Sequence, residues 1–112
     1  MGRTKLKPTY DLSYVKQLVS GGKVSFSRRG RKFIEQHYGL LDFLEVACGV
    51  FGAMSSSNFV KSDELEYLPR TYADIYSGME YDGIEWYVKF FIRDNEISQV
   101  EVWSMNWDGS VH

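Results

Sequence analysis

Apolar positions in the first half of the chain recur at helical spacing. Leu12, Val15, Leu18 and Val19 follow Asp11, a side chain suited to cap a helix start, and Gly21-Gly22 close the run. The preceding Lys7-Pro8-Thr9-Tyr10 reads as an extended lead-in, because proline fixes its own φ and biases Lys7 away from helix. Val24 and Phe26 alternate with polar residues, which predicts a short strand or extended link. A second helix is expected from about Arg29 to Tyr38, with Phe33, Ile34 and Tyr38 as its apolar stripe and Gly39 as its stop. From Asp42 to about Met54 most faces are apolar (Phe43, Leu44, Val46, Ala47, Val50, Phe51). This predicts a well-buried third helix, broken by Ser55-Ser56-Ser57-Asn58.

The period then changes. Residues 71–79, 84–93 and 97–105 are rich in β-branched and aromatic side chains, with Asp82-Gly83 and Asp94-Asn95 as turn signals between them. They predict an antiparallel meander. Helices followed by strands indicate an α+β fold, with the N-terminal helices packed on one face of an antiparallel sheet. With no repeat, low-complexity tract or linker, residues 1–112 read as a single domain, and the tail from Asp108 to His112 is expected to fray.

Composition adds exclusions. The 112 residues are 44% hydrophobic and 25% charged, which fits a globular chain rather than a disordered one. Cys48 is the one cysteine, so neither an internal disulfide nor a cysteine-based zinc site is available, and a cytoplasmic location is expected. No apolar stretch reaches the roughly 18 residues of a membrane span, and neither a signal segment nor a lipidation motif follows the basic start. No membrane partner is expected.

Charge is unevenly distributed. Residues 1–39 hold nine Lys and Arg against two acids, a balance of +7, whereas residues 40–112 hold four against thirteen, a balance of −9. The split suggests one cationic surface able to meet phosphates, with Arg28, Arg29, Arg31 and Lys32 as candidate phosphate- or nucleic-acid-binding residues; charges that merely solvate surface helices are the competing interpretation. The acidic half argues against tight duplex-DNA binding by the isolated chain.

Motifs for metal or cofactor chemistry are lacking: Gly21-Gly22 is not a phosphate loop, and His37 and His112 form no ligand pair. No cofactor and no metal are expected. What remains is a set of cations and phenols on or near the predicted sheet: Lys61, Arg70, Tyr72, Tyr76, Tyr87 and Lys89. Tyr87 and Lys89 are two apart on one strand and so share a face. A lysine beside a phenol can serve phosphoryl chemistry without metal: the cation stabilises the phosphorane and the phenol exchanges a proton. A solvated sheet face is the competing interpretation.

Several segments carry a family resemblance in order. Lys7-Pro8-Thr9-Tyr10-Asp11-Leu12 with the helix ending Gly21-Gly22-Lys23, then Asn58-Phe59-Val60-Lys61-Ser62, Thr71-Tyr72-Ala73-Asp74-Ile75-Tyr76 and Trp86-Tyr87-Val88-Lys89, resemble the corresponding segments of MqsR toxins over roughly residues 7–106. The resemblance implies a RelE-like fold and an mRNA interferase of a toxin–antitoxin system, with a cognate antitoxin as protein partner. The implied reaction is metal-free cleavage of single-stranded RNA: the ribose 2′-OH attacks the adjacent phosphorus, leaving a 2′,3′-cyclic phosphate and a 5′-OH. By the same resemblance Lys61 and Tyr87 are the catalytic candidates. Lys61 would stabilise the phosphate, and Tyr87 would orient the scissile group or transfer a proton. Arg70, Tyr76 and Lys89 are candidate phosphate- or RNA-binding residues.

The chain departs from that family at three places. A family glutamine falls on Ala73, a family arginine falls on Ser77, and the stretch after Lys61-Ser62 is replaced by Asp63-Glu64-Leu65-Glu66-Tyr67, which sets acids beside Lys61. Losing one positioned charge donor costs roughly 100- to 1,000-fold in rate. The expectation is therefore an endoribonuclease, weakened by these changes. The alternative is a non-catalytic RNA- or protein-binding chain of the same fold.

Overall fold

Asp11 Oδ2 accepts the Tyr14 backbone N–H at 3.1 Å, and α1 (Leu12–Ser20) runs on from it with Val15, Leu18 and Val19 buried. Ser27 caps α2 (Arg28–Tyr38) in the same way, its Oγ accepting the Gly30 N–H at 3.0 Å. The third helix, α3 (Phe43–Ala53), buries Val46, Ala47, Val50 and Phe51. This computed structural model describes residues 3–39, 42–94 and 97–107.

Six strands form one sheet: β1 (Thr4–Lys5), β2 (Val24–Phe26), β3 (Phe59–Glu64), β4 (Tyr72–Tyr81), β5 (Ile84–Asp94) and β6 (Ser98–Trp107), in the order β1-β3-β4-β5-β6-β2. All neighbours are antiparallel except β2, which runs parallel to β6. The chain is thus α+β, with its helices N-terminal to most of a largely antiparallel sheet. The expected meander is β4-β5-β6. Its first turn is the two-residue Asp82-Gly83, with φ of 56° and 73°, the twist that suits a tight hairpin. Asn95 of the second turn signal and the tail from Asp108 lie outside the described residues.

The sheet is wider than the sequence suggests. β3 shows no apolar alternation in Phe-Val-Lys-Ser-Asp-Glu, yet it pairs with β4 from Phe59↔Tyr76 to Glu64↔Tyr72. β1 is only two residues and pairs with β3. Both depend on neighbours supplied by the fold, as the context sensitivity of strand formation allows.

All three helices cover one face of this sheet. Tyr76, Met79, Trp86, Val88, Phe90, Val100, Val102 and Met105 form a single buried cluster with Val15, Ile34, Val50 and Phe51 of the helices. Close seating of α2 on β6 depends on Gly30, where a Cβ would lie 2.7 Å from the Val102 carbonyl oxygen. The lead-in is tied down by Asp74, 0% exposed, whose carboxylate accepts the backbone N–H groups of Thr9 and Tyr10, each at 3.0 Å. Thr9 and Ser62 share a hydrogen bond of 2.7 Å, and the Tyr10 phenol donates to the Tyr72 carbonyl at 2.7 Å. Among the described residues no helix is long and apolar enough to cross a membrane.

Candidate active site

The helix-free face of the sheet holds the candidate chemistry, and pairing registers place it. Lys61 on β3 lies opposite Ile75 on β4, Ile75 opposite Lys89 on β5, and Lys89 opposite Ser104 on β6. Neighbouring strands are spaced about 4.8 Å apart, so the two lysines stand roughly 10 Å apart at the backbone. Ile75, 3% exposed, occupies the row position between them. The next row is Ser77, Tyr87 and Asn106, again on paired positions.

Each strand around this row departs from regular pairing. β3 shifts register between Phe59 and Lys61, β4 between Ser77 and Met79, and β6 gains a residue, Trp103, opposite the Lys89–Phe90 step. The β4 shift falls on Gly78, whose φ of 86° suits glycine, and the Asn58 side-chain amide donates to the Ser77 carbonyl at 3.1 Å beside it. Bulges re-aim side chains. In β6 the extra residue leaves Val102 and Met105 both on the covered face, with Trp103 and Ser104 between them toward the open one.

A groove of about 350 Å³ results, lined by the bases Lys61, Lys89 and Arg3, the acids Asp63, Glu64 and Glu66, and Tyr67 and Trp103. Lys61 is not left to solvent: its Nζ lies 3.3 Å from Asp63 Oδ2, while Thr4 donates to the other Asp63 oxygen at 2.8 Å. Glu64 accepts the Arg70 backbone N–H at 2.9 Å and the Arg3 N–H at 3.3 Å, and these bonds hold its carboxyl below the usual range, keeping it anionic. Burial pushes the Tyr87 phenol above its ordinary value. The Asp63 charge adds to this and Arg29 opposes it, so Tyr87 is protonated at neutral pH.

Of the residues singled out by sequence, the structure brings Lys61 and Lys89 into one groove, with Tyr87 in the adjoining row. Arg29, in the first turn of α2, is near enough to act electrostatically on Tyr87. Arg28, Arg31 and Lys32 are exposed on α2 away from the groove lining, Arg31 within 4.0 Å of Glu35. Arg70 is exposed at the end of the β3–β4 loop in a left-handed conformation (φ 70°) and also lies outside the lining.

Tyr76 is a correction. It is 1% exposed, stacked on Phe90 at 5.9 Å between ring centroids within the covered core, and therefore not available to RNA. Ala73 is 0% exposed in a small cluster with Leu65 and Phe91, so this position contributes packing and no hydrogen bond.

Arg3 and Trp103 are groove residues that sequence reasoning did not single out, whereas the acids it set beside Lys61 do line the groove. One signal for Trp103 was available: Val100 and Val102 are two apart, but the next buried apolar residue, Met105, is three further on, the mark of an inserted residue. His37 is a packing residue, stacked on Phe33 at 4.1 Å.

Residues 7–105 match the family described as "Motility quorum-sensing regulator, toxin of MqsA". No curated protein matches the chain.

Proposed function

The chain belongs to the MqsR toxin family, toxins of toxin–antitoxin systems that have an antitoxin partner, and from that premise we propose that it is a metal-free endoribonuclease acting on single-stranded RNA in the cytoplasm. The observation that carries this reading is the row Lys61–Ile75–Lys89 with Tyr87 beside it. Both lysines line one groove where a phosphate diester would rest, and their charge would stabilise the phosphorane formed when the 2′-OH attacks. Tyr87, protonated at neutral pH, would orient the scissile group or give its proton to the departing 5′-oxygen, while the attacking 2′-OH gives its own proton to water and the phenol is restored from solvent. Arg29 and its neighbours on α2 would attract the RNA electrostatically, so affinity would fall steeply with salt.

A binding protein that no longer cleaves is the second reading. It is favoured by Asp63, which occupies Lys61, and by Ala73, buried under apolar neighbours. The two readings separate when the purified chain is incubated with a long single-stranded RNA in EDTA and new ends are mapped. Ends carrying 2′,3′-cyclic phosphate support the nuclease. Intact RNA that is nevertheless bound selects the second reading.

A further inference from the structure

We propose that Trp103 is a nucleobase-stacking residue that fixes the base beside the phosphate held by Lys61 and Lys89. This rests on the reading of the groove as an RNA site and names the part of RNA it recognises.

The β6 bulge exists at one residue, and that residue is Trp103. Lys89 pairs with Ser104 and Phe90 pairs with Val102, so the indole is inserted at the step next to the groove lysine. A strand without the bulge would have no position for it there. The ring is half-buried: it packs against the cluster of Leu65, Ala73 and Phe91 while it also lines the groove. A large aromatic held in this way is pre-organised, so a base that stacks on it does not have to order it first. Its backbone is pinned as well, since the Ser27 hydroxyl donates to the Trp103 carbonyl at 2.7 Å.

The chemistry around the ring fits one nucleotide rather than an apolar ligand. Lys61, Lys89 and Arg3 supply positive charge in the same groove, Lys89 and Arg3 without the Asp63 partner that Lys61 has, and Tyr67 and the carboxylates of Asp63, Glu64 and Glu66 complete a polar lining. Its volume of about 350 Å³ is at the small end of ligand sites, enough for about one nucleotide. An apolar base face on Trp103 with its phosphate toward the lysines uses both kinds of surface at once.

The test measures binding separately from cleavage. A fluorescent 2′-O-methyl RNA oligonucleotide, which cannot be cut, is titrated with wild type, Trp103→Ala and Trp103→Phe, each first checked for an unchanged unfolding transition. Stacking predicts roughly ten- to a hundredfold weaker binding for Trp103→Ala and recovery of most of it in Trp103→Phe. It also predicts that an oligonucleotide with abasic sugars in place of its bases binds the wild type and Trp103→Ala alike. If wild type binds and cleaves RNA while Trp103→Ala binds like wild type, the stacking role is overturned and the nuclease reading stands. If wild type neither binds nor cleaves RNA, both are overturned. If Trp103→Ala unfolds, Trp103→Leu, which keeps apolar volume without a ring, takes its place: weakened binding of the base-bearing oligonucleotide supports stacking, and binding equal to wild type overturns it.

Discussion

One sheet presents two contrasting faces, and β5 shows the contrast most simply. Trp86, Val88 and Phe90 point toward the helices at 0% exposure, while Tyr87 and Lys89 alternate with them on the open face, Lys89 in the groove and Tyr87 in the row beside it. The covered face is closed by aromatic contacts such as Phe33 against Trp86 at 5.3 Å and Phe51 against Phe90 at 5.3 Å. The open face carries cations and carboxylates that compete for one another, as Asp63 does for Lys61. Because side chains alternate along a strand, stability and chemistry are carried by interleaved residues of the same segment. Substitutions one position apart should therefore have effects of different kinds.

The largest effect on folding is expected at Trp86. Its indole N–H donates to the Tyr81 carbonyl at 3.0 Å inside the core, and Trp86→Ala should destabilise by about 3–5 kcal/mol in urea unfolding. A loss under about 1 kcal/mol would break the distinction between the faces.

The covered face should also respond to alkali. Burial first, then the charges of Asp74 and Asp11, raise the Tyr76 phenol to about 12. A group whose folded value lies above its unfolded value stabilises fully below the latter. The Tyr76 contribution is therefore complete below about pH 10 and is lost as pH rises from about 10 to about 12. Thermal melts across that window should decline less steeply in Tyr76→Phe than in wild type. Equal slopes would place the alkaline loss elsewhere.

On the open face, Asp63→Asn frees Lys61 from its counter-charge. Stability should change by less than about 1 kcal/mol, since the pair is partly exposed. RNA affinity at low salt should rise, read by fluorescence anisotropy with an uncleavable oligonucleotide. Unchanged affinity would mean that phosphate does not meet Lys61.

The smallest effect belongs to Ser104, 3% exposed, whose hydroxyl has no hydrogen-bond partner among the described residues. Ser104→Ala should be neutral or stabilising by up to about 1 kcal/mol in the same urea assay. A clear destabilisation would reveal a buried water or partner at that hydroxyl.

Much of the covered face was legible in the sequence. Helical spacing from Leu12, the apolar run from Phe43, and Asp82-Gly83 locate α1, α3 and the β4–β5 turn within a residue or two. The open face was less legible, for definite reasons. Ala73, Asp74, Ile75 and Tyr76 are all buried, between 0% and 3% exposed, so β4 shows no alternation there and the face of Tyr76 is not encoded locally. Asp74 is buried because the lead-in amides bond to it, a contact across 65 positions of sequence for Thr9. The β6 bulge leaves a mark in its own segment, the Val102–Met105 spacing, but the β3 and β4 irregularities show only in the pairing between strands. Thr9, Tyr10, Ser62 and Asp74, which lie in the segments that resemble the family, form one hydrogen-bonded anchor.

The central claim is that the open face acts on RNA while the covered face holds the fold. Lys61→Ala tests it most directly, with unfolding free energy and RNA cleavage rate measured on the same sample. The account predicts stability within about 1 kcal/mol of wild type and cleavage reduced roughly 100- to 1,000-fold. Cleavage at the wild-type rate by the folded variant would contradict it.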